Sequence, residues 1–167
     1  GPQQTTNAHA HVLTMLMGEA ASDFTDLAPQ KVDPKKVLYV GLTETTPFET
    51  GFVEKHGLAR LNPEDLAGSP AKVLEWVRSS GAGKIAVHFD VDVLDPGLYD
   101  FLLFRDPSLA PGAFDGVAKG RMRFEDVASI LTAVDAEADI VGLTIAEFTP
   151  WSMIELSRSL RTLPLLG

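Results

Sequence analysis

The chain has 167 residues, 45% of them apolar and 22% charged, with a net charge of −9 and no cysteine. That is the balance of one folded domain; it excludes disulfides and thiolate sites, and it disfavours nucleic acid or anionic membranes, which select clustered Lys and Arg. No apolar run approaches the roughly 20 residues needed to span a bilayer, and no cationic leader is seen, so the cytoplasm is the expected compartment.

In chain order, residues 10–19 (Leu13, Met15, Leu16, Met17) read as a buried helix and 21–34 as a polar loop. Residues 37–42 form a short apolar strand ending at Thr43 and Glu44, broken by Thr46-Pro47. One or two helical turns over 52–56 stop at Gly57, and 58–61 is a weak strand. Residues 71–80 read as a helix from the spacing of Val73, Trp76 and Val77, with Ser69 as N-cap and Pro70 at its first position. Lys84-Ile85-Ala86-Val87 opens a strand. The stretch 97–120, rich in Pro and Gly, is a long irregular loop of the kind that is usually functional. A helix over 124–134, a strand over 139–148 ending at Glu147, and a closing helix over 151–163 complete the chain. Alternation of strands and helices predicts an α/β fold, a three-layer α/β/α arrangement with a mainly parallel sheet, in one domain over 1–167. Ligands of such sheets sit beyond the carboxyl ends of the strands. All three strong strands here end in acids: Glu44, Asp90 with Asp92, and Glu147.

The densest chemistry lies in His88-Phe89-Asp90-Val91-Asp92-Val93-Leu94-Asp95-Pro96. Side chains alternate along a strand, so Asp90 and Asp92 are expected on one face with His88 behind them. Two carboxylates at the end of an apolar strand repel one another, and a hard divalent cation relieves that repulsion. The competing reading is that these aspartates cap a turn. Glu147 by itself could be a solvated strand end, His88 a satisfied core histidine, His56 a surface residue, and Glu125 and Asp126 first-turn helix acids. The run from Phe101 to Phe104 reads as core or as an oligomer contact.

Phe89-Asp90-Val91-Asp92-Val93-Leu94-Asp95-Pro96 resembles the S-F-D-x-D-x-x-D-P signature of the arginase superfamily: arginases, agmatinases, formiminoglutamases and guanidinobutyrases. Ala146-Glu147-Phe148-Thr149-Pro150 resembles its E-x-N-P segment, Asn7-Ala8-His9-Ala10 its N-x-H-G segment, and Gly41-Leu42-Thr43-Glu44 its G-L-R-D strand end. The loop Pro111-Gly112-Ala113-Phe114-Asp115-Gly116 resembles a bacterial variant. The resemblance spans nearly the whole chain and implies a binuclear manganese hydrolase of guanidino or amidino C–N bonds. Asp90 and Asp92 would be metal ligands and Glu147 would hold the cationic end of the substrate. His9 would move a proton, and Thr5, Asn7 and Glu44 would bind the rest of the substrate. The family's upstream half, with a metal-binding His and an Asp-x-His-x-Asp cluster, has no counterpart here. The ligand set is therefore incomplete. Little hydrolysis is expected from the chain alone, with a homo-oligomer or a complementary N-terminal polypeptide as partner.

Two other classes fit parts of the pattern. The strand-D-x-D-x-V arrangement also resembles haloacid-dehalogenase-like phosphatases, with Asp90 as nucleophile, Asp92 as acid and magnesium as cofactor. Alternatively the chain is a non-catalytic, metal-binding or oligomerising fragment.

Overall fold

The computed structural model describes residues 12–19 and 30–166. The chain divides into two compact units, Gly1–Leu38 with Thr46–Ala59, and Tyr39–Thr45 with Arg60–Gly167. Among the described residues, no helix is long and apolar enough to cross a membrane.

In the first unit, α1 (Val12–Leu16) has no buried residue, and Val12 is 52% exposed. Of the helix expected over 10–19, the described residues show Val12–Leu16, half-buried at Leu13 and Met15 and exposed at Val12 and Leu16. Helix α2 (Pro47–His56) begins five residues before the turns expected from sequence. Thr46-Pro47, read as a strand breaker, starts it: Thr46 Oγ1 accepts from Glu49 N, Glu49 Oε2 accepts from Thr46 N, and Pro47 stands at N1. Gly57 ends the helix at φ +60°. His56 is not on the surface; its side chain is 11% exposed, its ring lies 4.5 Å from that of Phe52, and its Nε2 is 3.1 Å from Glu19 Oε2.

The second unit carries the acidic strand ends. Strand β1 (Leu38–Val40) pairs with β2 (Ala59–Leu61), and Gly41 N donates to Leu61 O. The short helix α3 (Pro63–Leu66), unforeseen in the sequence, is held by a capping box between Asn62 and Asp65. Helix α4 (Ala71–Ser80) has Pro70 at its N-cap rather than at its first turn, one residue later than expected. Strand β3 (Lys84–Asp90) then pairs in parallel with β4 (Asp139–Ala146), connected by the loop after Asp92 and α5 (Phe124–Glu137). A 3-10 turn over Pro150–Ser152 leads into α6 (Met153–Leu160).

The core follows the helical and strand periods. Val73 and Val77 of α4, and Phe124, Val127, Ile130, Leu131 and Val134 of α5, are buried. Phe89 of β3 meets Phe124 edge to face, ring centres 5.8 Å apart. Arg78 and Glu137 join α4 to α5 by a bidentate ion pair of 3.0 and 2.7 Å. Along β3, Lys84, Ala86 and His88 are exposed while Phe89 is buried. His88 is therefore a solvent-facing strand residue, not a core histidine; its pairing partner Thr144 is exposed as well. Parallel strands are normally covered on both faces. Among the described residues α5 lies against this pair, through Phe124 on Phe89, and α4 joins α5 through Arg78 and Glu137.

Candidate active site

The strand ends where its apolar alternation ends. Asp90 is the last residue of β3, and Val91–Val93 make one 3-10 turn with Asp92 at its centre. The period-two argument that put Asp90 and Asp92 on one face does not hold past Asp90. The two acids are brought together instead by the turn, which is pinned by Val91 and Leu94, both completely buried. Asp90, at the N-cap of this turn, makes no side-chain capping hydrogen bond. The turn-former of the motif is its third acid: Asp95 Oδ1 accepts from Gly97 N at 2.7 Å.

Strand pairing delivers the third charge. Asp90 is in register with Ala146, so Glu147 is the first residue beyond β4 at the same rim. Glu147 has φ +59°, the left-handed region that side chains rarely adopt and that clusters at functional positions. Burial, the charge of Asp90 and the charge of Glu147, in that order, push the Asp92 carboxyl up to about 6. Asp90 and Glu147 thus both act on Asp92 through space, whereas Glu44, half-buried after β1, is not among the charges acting on it. Thr5, Asn7 and His9 lie outside the described residues.

Two glycines to which the sequence assigned no packing role shape this site. A Cβ on Gly120 would collide with the backbone of Val93 and the carbonyl of Asp92, and one on Gly41 would strike Met122 and Val93. Met122 N donates to Val93 O and Asp95 N donates to Met122 O, at 3.1 and 2.9 Å, so the end of the long loop grips the Asp92 turn from both sides. The sequence signals for them were the Gly41-Leu42-Thr43-Glu44 strand end and the Gly-rich end of the long loop, and neither indicated a close approach to Val93. Tyr99 was missed too: its hydroxyl accepts from Phe124 N at 2.7 Å and donates to Glu125 Oε2 at 3.3 Å, capping α5 where Arg123 offers no side-chain cap.

Ionised Asp90 and Asp92 offer hard oxygen donors whose mutual repulsion a divalent cation would offset, so they fit a manganese or magnesium ion in kind. They do not make a complete site: among the described residues, no group of three or more His, Asp and Glu is arranged to hold a metal.

The sequence matches the arginase family over residues 2–159. The chain belongs to the arginase family. Solved structures agree on the fold. The arginase of Entamoeba histolytica, in complex with L-ornithine, is 22% identical with a TM-score of 0.69, over 89% of this chain and 47% of that one. An arginase from Bacillus subtilis is 17% identical with a TM-score of 0.71, over 99% and 57%. Proclavaminate amidino hydrolase of Streptomyces clavuligerus is 18% identical with a TM-score of 0.55, over 75% and 39%. The chain spans about half the length of the first two of these relatives. No curated protein matches it. An arginase-family hydrolase fold is thereby established, and the phosphatase alternative is not favoured.

Proposed function

We propose that this chain supplies the Asp90–Asp92 and Glu147 portion of an arginase-like hydrolase that cleaves a guanidino or amidino C–N bond. The observation that supports this most is the convergence of three carboxylates at one rim of a parallel strand pair, with Asp92 pushed up to about 6 by burial and its two acidic neighbours. Asp90 and Asp92 would hold manganese, two ions in a complete site. Manganese, when bound, supplies the Lewis acidity that makes water a competent nucleophile at neutral pH. Glu147 pairs with the planar guanidinium and orients its carbon. His9 protonates the departing amine nitrogen, since imidazole titrates near working pH. Thr5, Asn7 and Glu44 hold the substrate's far end. Arginine, agmatine and formiminoglutamate have the required chemistry; the Entamoeba relative is an arginase seen with L-ornithine, and the Streptomyces relative is an amidino hydrolase.

The remaining ligands come from the half of the arginase-like domain that this chain does not match. The chain alone hydrolyses little or nothing. Crystals grown in excess manganese test the site. The expected result is manganese scattering at Asp90 and Asp92, lost in Asp92→Ala with the fold retained. Carboxylates turned to bulk water or bonded to main-chain amides, with no manganese beside them, would sink the proposal.

A further inference from the structure

The loop that leaves the Asp92 turn also fastens the segment carrying Glu147. Thr149 makes two hydrogen bonds to one carbonyl: its N–H donates to Phe101 O at 3.1 Å, and its Oγ1 donates to the same oxygen at 2.8 Å. Next to it, Trp151 Nε1 donates to Asp100 O at 2.6 Å, and Leu102 pairs with Phe148 in an antiparallel bridge. Phe101 and Leu102 are fully buried, so the carbonyl that Thr149 grips is a fixed point of the core. Glu147, two residues upstream, holds a left-handed backbone that persists only where its surroundings over-determine it. On its upstream side the β3–β4 ladder supplies that constraint through Ala146 and Asp90. On its downstream side the double bond of Thr149 supplies it.

We propose that Thr149 is a positioning residue, which fixes the Glu147 carboxylate for a guanidinium or amidinium cation by clamping the strand end to the Phe101 carbonyl. The role rests on Glu147 being the group that receives the cation. The clamp itself can be tested without any ligand. Thr149→Val keeps the shape and the N–H and removes the hydroxyl; Thr149→Ser keeps the hydroxyl. Amide hydrogen exchange at Glu147 and Phe148 is expected to rise about 10-fold in the valine variant, with α5 unchanged, and to stay near wild type in the serine variant. Equal exchange in the valine variant and wild type, or equal loosening in both variants, overturns the clamp. Binding of L-arginine to the manganese-supplemented chain, followed by ligand-observed NMR, gives the second readout. Thr149→Val is expected to weaken it about 10-fold and Thr149→Ser less than about 2-fold. Weakening in Glu147→Gln but not in Thr149→Val refutes the positioning role while leaving Glu147 as the cation's partner. Arginine binding that is indifferent to Glu147→Gln refutes Glu147 as that partner and the positioning role with it.

Discussion

Replacing Asp92 with Asn exposes the electrostatic tension at the rim. The Asp92 carboxyl stands at about 6 against an ordinary 3.8, because burial, Asp90 and Glu147 all disfavour its charge. A folded-state pKa above the unfolded value means that the folded chain holds the proton more tightly. Stability is therefore greatest in acid, declines as pH rises from about 4 to about 6, and is level above that. The full shift corresponds to ~3 kcal/mol. Asp92 is only half-buried, so solvent screening reduces this to ~1–2 kcal/mol. Asn has the same shape and cannot ionise. In chelator-treated protein, urea unfolding at pH 8 should show Asp92→Asn more stable than wild type by ~1–2 kcal/mol, a gain that vanishes near pH 3.5. Manganese at millimolar concentration should raise the midpoint of wild type at pH 8 and leave that of the variant unchanged. A wild-type profile that is flat between pH 4 and 7, or a stability difference between variant and wild type that is no larger at pH 8 than at pH 3.5, would refute the electrostatic argument. Equal stabilisation of both proteins by manganese would refute Asp92 as a ligand.

Two further outcomes test the supports of the site. Gly120→Ala drives a methyl group into the Val93 backbone and the Asp92 carbonyl, and should cost ~2–3 kcal/mol or more in urea unfolding; a loss below ~0.5 kcal/mol would show that the loop yields freely. Tyr99→Phe leaves Phe124 N without its acceptor at the start of α5 and should cost ~1–2 kcal/mol, seen as a lower thermal midpoint and faster exchange of the Phe124 amide; an unchanged midpoint would mean that water replaces the hydroxyl.

Local rules were legible wherever one residue type settles the outcome. The periodicity of Val73 and Val77 marked α4, that of Val127, Ile130, Leu131 and Val134 marked α5, and Gly57 marked the end of α2. Thr46-Pro47 was misjudged because the same dipeptide ends a strand and begins a helix, and the Glu49 side chain that completes the capping box decides between them. The exposure of His88 was not legible, since period and composition state which face could be buried and not whether anything covers it.

The sequence by itself determined the chemistry available to this protein: carboxylates at the ends of apolar strands, no thiols, and the order of motifs that marks the arginase family. Those are properties of residue type and spacing, which chain connectivity carries directly. Only the tertiary structure decided that Asp90, Asp92 and Glu147 share one field, because that depends on the parallel register that sets Asp90 against Ala146. It also assigned work to Gly120, Tyr99 and Thr149. Each of these acts on a backbone group more than 20 positions away in the chain, a distance over which no local pattern carries information.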